Sequence, residues 1–402
     1  MKFGIIKEGK VPPDRRVPLT PKQCKQLVEK FAELEVFVQK SETRSFSNKE
    51  YENEGIPVID DLSHCDVLLG VKEVPVEQLI PGKTYLFFSH VIKEQPYNRG
   101  LLQAIIKRDI RLIDYECLRG EDGFRVIGFG RYAGIVGAYN GLLAYGKKFG
   151  IYDLKPAYDC FDRKEMESEL AKIQLPNIKI TLTGSGRVAN GAIETLDKAG
   201  IKKIWPDAYL NHTFNEPVYT QLFPRHYRRA KDGRPWDLDD FFNHPDEYES
   251  LFSRFTRMTD LYISGHYWDS RAPHFFSKED MKSPEFNIKV VADISCDING
   301  PIGCTLRSST IEEPLYGYHP ETEKEVDFMQ EGTITVMAVD NLPCELPRDA
   351  SEGFGDDLIE KVIPNILQQN HSMIEAATIS KDGKLTENYG YLQDFVKERI
   401  WC

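Results

Sequence analysis

Short apolar runs recur along the first third of the chain, and polar or turn-forming residues separate them. Their length and β-branched content are typical of buried strands. Strands are predicted at residues 2–7, 36–38, 67–71, 84–89 and 110–113. Apolar residues at helical spacing in 22–31 and 99–107 predict helices between them. Strands that alternate with helices predict a parallel sheet covered by helices on both faces.

A second apolar series begins at residues 178–182, which predict a strand. The glycine-rich turn Gly184-Ser185-Gly186 follows, and the next residues to 198 have helical spacing. Further strands are predicted at residues 201–205, 260–264, 289–294 and 334–339.

A segment rich in alanine and glycine, residues 132–148, separates the two series. Its small residues predict a closely packed helix where the chain crosses to a second domain, and a proline-punctuated run after Asp340 predicts the return. We therefore predict an α/β protein of two Rossmann-like domains, with parallel sheets separated by a cleft and two chain crossings. The predicted domains are residues 1–135 with 345–402, and residues 136–344 with an insertion around 223–250.

Composition and charge restrict the class of protein. The 402 residues are 41% hydrophobic and 28% charged, as in ordinary globular proteins, and the net charge of −12 argues against nonspecific nucleic-acid binding. The N-terminus has no long apolar segment of a signal peptide, and no run reaches the about 18 apolar residues of a membrane span. The eight cysteines form no C-x-x-C pair. We expect a cytoplasmic protein with free cysteines, and with no metal, membrane or nucleic-acid partner.

The glycine turn has the G-x-G-x-x-A spacing of dinucleotide-binding sites, with Ala189 in third place. Gly184 allows a tight turn, and Gly186 lets backbone N–H groups approach a pyrophosphate at the helix N-terminus. The alternative is an ordinary strand–helix turn that binds nothing. The predicted cofactor-binding residues here are Gly184, Ser185, Gly186, Arg187 and Val188.

An acidic residue about 20 positions after the glycines is expected to bind the ribose hydroxyls. Asp207 lies near that position and is our candidate. However, Lys202 and Lys203 lie nearby, and a basic neighbourhood favours a 2′-phosphate, so the residues leave NAD and NADP open.

Two residues that directly follow strands of the first series are candidates for acid–base chemistry. Lys72 and His90 are expected at the carboxyl ends of parallel strands, where such sheets bind ligands. A partly desolvated lysine serves as a base, and a histidine titrates near neutrality. The alternatives are a solvated loop lysine and a hydrogen-bonded strand end.

Motifs along nearly the whole chain resemble one enzyme family. They are RVPLTP at 16–21, GVKE at 70–73, FFSH at 87–90, LIDYE at 112–116, FGRYAG at 129–134, DISCD at 293–297 and DNLPCELP at 340–347. Together they resemble the L-lysine-forming saccharopine dehydrogenases, and even more the lysine–2-oxoglutarate reductase half of the bifunctional lysine-degrading enzyme. Alanine dehydrogenase is a more distant relative. Because the chain stops at Cys402, we expect the saccharopine-cleaving half to be absent.

The resemblance implies an NAD- or NADP-dependent oxidoreductase of lysine metabolism that oxidises saccharopine reversibly to an imine, which hydrolyses to L-lysine and 2-oxoglutarate. It implies Lys72 as the base and His90 as its acid–base partner. The substrate-binding residues it implies are Arg16, Gln95, Arg131, Ser295, Cys296 and Asp297. The cofactor-binding residues it implies are Gly130, Gly186, Arg187, Asp340, Asn341 and Leu342.

Two alternatives stay open at this point. One is a related amino-acid dehydrogenase, acting on alanine or on another N-carboxyalkyl amino acid. The other is a cofactor-binding regulator without catalysis, which the presence of both Lys72 and His90 disfavours. The sequence leaves the direction of reaction and the oligomeric state open.

Overall fold

The computed structural model describes residues 1–368 and 371–397. Cys402, on which the expected absence of a second half depends, lies outside the described residues, as do positions 398–401 of the predicted first domain. The chain divides into two compact units, Met1–Phe129 with Pro347–Cys402 as unit 1 and Gly130–Leu346 as unit 2. It therefore passes from one unit to the other twice.

The strands of the described residues are numbered in chain order. They are β1 (Lys2–Ile5), β2 (Glu35–Gln39), β3 (Val58–Ile59), β4 (Val67–Leu69), β5 (Thr84–Phe87), β6 (Arg111–Asp114), β7 (Lys179–Thr183), β8 (Lys202–Lys203), β9 (Val218–Leu222), β10 (Arg228–Ala230), β11 (Tyr248–Ser250), β12 (Leu261–Ser264), β13 (Val290–Asp293), β14 (Leu315–His319), β15 (Lys324–Val326), β16 (Ile334–Met337), β17 (Thr378–Lys381) and β18 (Lys384–Leu385).

The α-helices of the same residues are numbered likewise. They are α1 (Pro21–Lys30), α2 (Asn48–Asn53), α3 (Arg99–Lys107), α4 (Gly130–Phe149), α5 (Arg163–Glu169), α6 (Arg187–Lys198), α7 (Pro206–Asn211), α8 (Pro224–Tyr227), α9 (Leu238–Asn243), α10 (Ser253–Thr256), α11 (Pro347–Asp357), α12 (Ile363–Ile366), α13 (Ser372–Ala377) and α14 (Gln393–Lys397). A π-helical turn, Leu358–Val362, joins α11 to α12.

Unit 1 is built on one sheet with the strand order β18-β17-β6-β5-β4-β1-β2-β3. Strands β1 to β6 pair in parallel, and β17 and β18 add an antiparallel edge. Apolar side chains on both faces are buried, among them Phe3 and Leu86 on one face and Leu68 and Phe87 on the other. The continuous apolar runs of the sequence are therefore strands that are covered on both sides.

Local sequence explains how helix α1 begins. The Thr20 hydroxyl accepts the Gln23 backbone N–H, and the Gln23 side chain accepts the Thr20 N–H in return. Pro21 occupies the first turn, where its missing N–H costs no hydrogen bond. This reciprocal cap fixes the direction in which the chain leaves the proline-rich loop before it.

Unit 2 contains a second sheet with the order β15-β14-β16-β13-β12-β7-β9-β8. The strands from β16 to β8 are parallel, and β14 and β15 form an antiparallel edge. The predicted fold of two Rossmann-like α/β sheets is confirmed, but both sheets are mixed rather than purely parallel. The antiparallel edges come from the short strands β14, β15, β17 and β18, which the sequence prediction did not include, and β17 pairs with β6, a strand distant from it in sequence.

Helix α4 packs against helix α6 and the sheet of unit 2, with most of its length buried. Two glycines allow this contact. A Cβ on Gly134 would overlap the Val188 carbonyl oxygen, and one on Gly191 would overlap the Arg131 carbonyl oxygen. The small residues of 132–148 therefore serve close helix packing inside unit 2.

The polar, aromatic segment predicted as an insertion has its own small sheet. Strands β10 and β11 pair antiparallel, apart from the two large sheets. Trp236 and Phe241 pack against each other and against Tyr248 of β11. No helix in residues 1–368 and 371–397 is long and apolar enough to cross a membrane.

Candidate functional site

Four strand ends meet at one edge of the unit 1 sheet. The parallel register pairs Ile5 of β1 with Leu69 of β4, and Leu69 with Leu86 of β5. Phe87 of β5 pairs with Asp114 of β6. The segments that follow these strands therefore emerge side by side, and they carry Glu8, Lys72, His90 and Glu116.

Lys72 is held through its backbone by a carboxylate that the sequence analysis did not identify. Glu8 accepts the Val71 N–H at 2.7 Å and the Lys72 N–H at 2.9 Å, one on each carboxylate oxygen. Burial, and secondarily the negative charge of Asp14, raises the pKa of Glu8 to about 8. Residue Glu8 as a whole is partly exposed, but its carboxylate is enclosed by protein. The Glu8 carboxylate thus fixes the turn from which the Lys72 side chain extends.

His90 is oriented by Glu73, the residue after Lys72. The His90 Nδ1 lies 2.5 Å from Glu73 Oε1, and the Lys10 ammonium donates to Glu73 Oε2 at 2.9 Å. Burial alone would raise the pKa of Glu73, but hydrogen bonds from His90 and Lys10 outweigh it and lower the pKa to about 2. An ionised Glu73 only accepts hydrogen bonds, so Nδ1 of His90 carries a proton and donates to it.

The backbone at His90 is fixed from the neighbouring strand. Asp114 accepts the Ser89 N–H at 3.1 Å, and it also accepts the Ser89 hydroxyl. Ser89 and Asp114 are both fully buried. His90 itself has a φ of 55°, in the left-handed region, which turns its side chain out of the strand direction. The buried Asp114 carboxylate therefore holds the backbone next to the strained conformation of His90.

Arg16, expected on the resemblance to hold substrate, is a buried residue in unit 1. Its guanidinium donates from Nε to Asp14 Oδ1 at 3.0 Å and from a terminal nitrogen to Asp14 Oδ2 at 2.5 Å. It also lies 4.2 Å from the centre of the Phe129 ring. Arg16 is only 2% exposed, so its guanidinium is enclosed by protein within unit 1.

Gln95, the other substrate candidate in unit 1, is exposed. It precedes the 3-10 turn Pro96–Asn98, and its side chain does not cap that turn. Near it on the same edge, Glu116 pairs with Arg125 at 2.8 Å and with Lys93 at 3.7 Å. The substrate-binding role of Gln95 stays a prediction.

Unit 2 gathers its candidates at the carboxyl ends of four parallel strands. The register aligns Thr183 of β7 with Ser264 of β12, and Ser264 with Asp293 of β13. Strand β16 pairs in parallel with β13 on the side away from β12. The loops after these strands contain Gly184–Arg187, Ser295–Asp297 and Asp340–Leu342.

The glycine turn has the geometry of an anion-binding loop. Gly184 has a φ of 111°, and a Cβ there would overlap the Gly265 carbonyl oxygen, so only glycine fits. A Cβ on Gly186 would meet nothing within 4 Å, so the space beside the residue that precedes α6 is open. Gly186 supplies no side-chain cap, which leaves the first N–H groups of the twelve-residue helix α6 directed at that space. These features fit a pyrophosphate, and Gly130 lies beside the same helix terminus.

The loop 295–297 is organised by Asp293. The Asp293 carboxylate accepts the hydroxyls of Ser264, Ser295 and Thr305, each at 2.6 Å, and the Cys296 N–H at 3.1 Å. It is 1% exposed, so it supports the loop rather than contacting a ligand. Burial, and secondarily the charge of Asp293, raises the pKa of Asp297. The loop therefore presents Asp297 as its partly exposed carboxyl group.

Two further candidates have defined partners within unit 2. Arg131 forms a two-pronged pair with Glu194 of α6, with distances of 2.7 and 2.9 Å, and Glu194 also pairs with Arg163. Leu342 is buried, and a Cβ on Gly137 would lie 3.2 Å from it. Asp340 is exposed beside it. The proposed ligand contacts of these residues stay predictions.

Asp207 follows β8, the edge strand of the sheet, and not a strand that pairs with β7. Strand β7 pairs with β12 on one side and with β9 on the other, and β8, which precedes Asp207, lies beyond β9. The ribose-binding acid is expected after the immediate neighbour of the phosphate-loop strand. The strand before Asp207 is therefore not the neighbour of β7, because strand 218–222 was absent from the sequence prediction, and the ribose-binding role of Asp207 stays a prediction.

Comparisons with known proteins identify the fold. Residues 4–136 match the family model described as "Alanine dehydrogenase/PNT, N-terminal domain". An L-alanine dehydrogenase has a TM-score of 0.67 at 15% identity, covering 98% of this chain and 99% of that one. A transhydrogenase from Sinorhizobium meliloti has a TM-score of 0.58 at 14% identity, covering 96% and 100%. The chain has the fold of these proteins.

The comparison of sequences finds relatives of higher identity. Mitochondrial alpha-aminoadipic semialdehyde synthase of Bos taurus is 31% identical over 436 residues, covering 96% of this chain and 47% of that protein. The saccharopine dehydrogenase (NAD(+), L-lysine-forming) of Schizosaccharomyces pombe is 27% identical over 376 residues, covering 88% and 90%. The chain spans about half the length of the synthases that it matches. It is a homologue of both groups, and the resemblance indicated by the motifs is confirmed.

Proposed function

We propose that the chain is a nicotinamide-dependent oxidoreductase that acts on the CH–NH group of saccharopine and reversibly gives L-lysine and 2-oxoglutarate. One observation carries the proposal. Lys72 and His90 emerge at one sheet edge, and Glu73, the neighbour of Lys72 in sequence, contacts His90 at 2.5 Å. Homologues named saccharopine dehydrogenase, which align with up to 90% of their own length, support the choice of substrate.

In the proposed reaction, Lys72 takes the proton of the secondary amine as the C–H bond is oxidised. The backbone bonds of Glu8 to Val71 and Lys72 set the direction from which the lysine approaches. A proton acceptor is required because an amine that keeps its proton has no lone pair to form the C=N bond. Lys72 therefore acts in the first half of the reaction.

His90 serves the hydrolysis of the imine. Water must lose a proton as it attacks the C=N carbon, and the amine nitrogen must gain one before the C–N bond breaks. Nε2 of His90 can take the first proton and give the second, while Glu73 accepts the Nδ1–H and keeps the ring oriented. The same arrangement works in reverse when lysine and 2-oxoglutarate condense.

In this proposal unit 2 holds the nicotinamide cofactor, which accepts the hydride in the oxidation direction. The residues that would hold its pyrophosphate are Gly184, Ser185 and Gly186 with the N-terminus of α6, whose open approach fits that group. In this proposal Asp297, on the loop that Asp293 braces, binds the substrate.

The test is a comparison of initial rates from the absorbance of the reduced cofactor. Saccharopine with NAD or NADP is compared with lysine and 2-oxoglutarate with NADH or NADPH. Lys72→Met is expected to abolish turnover and to leave cofactor binding within about twofold, because Lys72 is in unit 1. The matched control is Lys107→Met, at the exposed end of α3.

Two results would count against the proposal. Full activity of Lys72→Met would remove that residue from the reaction. Turnover of alanine or of another N-carboxyalkyl amino acid, with none of saccharopine, would assign the chain to a related dehydrogenase. Cofactor binding without turnover of any substrate would instead indicate a regulator.

A further inference from the structure

Three large apolar side chains are exposed together at one end of unit 2. Phe149 at the end of α4 is 45% exposed, Ile151 just after it is 38% exposed, and Met329 before β16 is 51% exposed. Phe149 and Met329 line a first groove of about 520 Å³, and Ile151 and Met329 line a second groove of about 480 Å³. Single exposed apolar side chains are ordinary, whereas a contiguous group of them marks a binding surface. We call these side chains and the two grooves the Met329 patch.

Met329 is held outward by an anchored turn. Its backbone N–H donates to the Asp327 side chain at 2.7 Å. The Lys148 ammonium, at the end of α4, donates to the carbonyls of Phe328 and Gln330 at 2.7 and 3.0 Å. The turn is therefore fixed to the helix. An apolar side chain on a fixed turn loses little conformational freedom when it docks, which favours association.

The rim of the patch carries two lysines and two carboxylates. The first groove is lined by Lys289 and Glu331, and the second by Lys147 and Asp153. Three of them are exposed and Lys147 is half-buried. Within the part of the chain that the structure describes, none of the four forms an ion pair. Each groove thus offers one positive and one negative side chain to whatever covers it.

This combination of charge and shape fits a second copy of the chain. In a two-fold symmetric contact the same patch faces itself, so it must supply both signs of charge, and both a protruding side chain and a groove. A partner of a different kind would be matched by a rim of one sign. An apolar centre with a polar rim is also the composition of protein–protein interfaces.

We propose that two copies of the chain associate through the Met329 patch as a symmetric dimer. The Met329 side chain of each copy packs into a groove of the other, and the rim lysines of one copy face the rim carboxylates of its partner. The patch lies at the amino ends of β13 and β16, whereas the proposed nucleotide and substrate loops of unit 2 follow the carboxyl ends of its strands. The inference is independent of the proposed reaction.

Sedimentation velocity of the full chain tests the association. We expect dimers with a dissociation constant of about 10 μM or less. Met329→Glu should weaken the dimer at least about tenfold, because a charge would be buried in the apolar centre. Leu238→Glu is the matched control, since Leu238 is 48% exposed on α9 and does not line either groove, and it should leave the dimer unchanged. Circular dichroism and thermal midpoints check that both variants keep the fold.

A mixing experiment tests whether the charges are self-complementary. One variant combines Lys147→Glu with Lys289→Glu, and the other combines Asp153→Lys with Glu331→Lys. Each variant alone has a rim of one sign and should be monomeric where the unaltered chain is dimeric. An equimolar mixture of the two should form a mixed dimer, and added salt should weaken it because the pairs are at the rim.

Four results would overturn the proposal. They are an unaltered chain that stays monomeric up to about 100 μM, a dimer that Met329→Glu leaves intact, an equal loss in the Leu238→Glu control, and a mixture that stays monomeric. A monomer that binds the dye anilinonaphthalenesulfonate in a Met329-dependent way would instead assign the grooves to a small apolar ligand. Turnover of saccharopine is judged separately, because these variants alter no residue of the proposed site.

Discussion

A glutamate buried in unit 2 should make the stability of that unit depend on pH. Glu345 is 2% exposed, and its Oε1 accepts the Asn140 side-chain N–H at 2.8 Å. Burial, with a contribution from the charge of Glu312, raises its pKa to about 8 against the opposing Asn140 hydrogen bond. At neutral pH the folded chain thus keeps a proton that the unfolded chain releases.

The sign and size follow from proton binding. Between about pH 5 and about pH 8 the folded state binds one more proton at Glu345, so the free energy of unfolding falls by about 1.4 kcal/mol per pH unit. The interval from the ordinary value of 4.5 to about 8 gives an upper bound of about 5 kcal/mol in total. Glu345→Gln keeps the acceptor for Asn140 and removes the titration. The free energy of unfolding of the variant should therefore increase relative to that of the unaltered chain as pH rises.

Hydrogen exchange of the α4 peptides measures this in unit 2 itself. Comparing variant and unaltered chain at the same pH, from about 5 to about 8.5, cancels the intrinsic pH dependence of exchange. Glu216→Gln, an exposed glutamate paired with Lys202, is the control and should show no such trend. If the exchange rates of the two chains change in parallel across this range, the reasoning is refuted, because Glu345 would then be ionised in the folded state.

Three further predictions concern the helix contact and the two sheet edges. Gly191→Ala should lower the free energy of unfolding by about 1–3 kcal/mol, since its Cβ would overlap a carbonyl oxygen of α4, whereas Asn190→Ala in the same helix should shift the thermal midpoint little. Glu73→Gln should lower kcat by about 10- to 100-fold in steady-state assays with unchanged cofactor affinity, because the amide lacks the negative charge that stabilises the imidazole when it takes up a proton. Gly184→Ala should weaken NADPH binding at least about tenfold in fluorescence titration, and unaltered binding would contradict the pyrophosphate assignment.

The central strands of both sheets could be predicted because their apolar runs are local and continuous. The predicted run at 84–89 contains β5, and the run at 178–182 overlaps β7. Strand β9 was missed although VYTQL is rich in β-formers, because it lies within a polar region. That omission matters most, since β9 separates β8 from β7 and so changes which residues are expected near a ribose.

The candidate site was predicted only as far as one rule reached. Residues directly after strands were singled out, and the rule placed Lys72 and His90 at one edge. Applied to β1, it would also have indicated Glu8, which comes shortly after that strand. The burial of Arg16 was not predictable from its own neighbours, because Phe129 lies far away in sequence.

The interrupted layout of unit 1 has a consequence for synthesis. Strand β6 gains its other neighbour only when β17 has been made, after all of unit 2, and the Phe129 ring stacks on Phe354 at 4.6 Å. During synthesis, all of unit 2 is made before the C-terminal part of unit 1. Until that part has been made, the first 129 residues have one sheet edge and part of their core uncovered. Nascent chains should therefore acquire protease resistance in the middle segment first, and chaperone dependence should centre on the amino-terminal one.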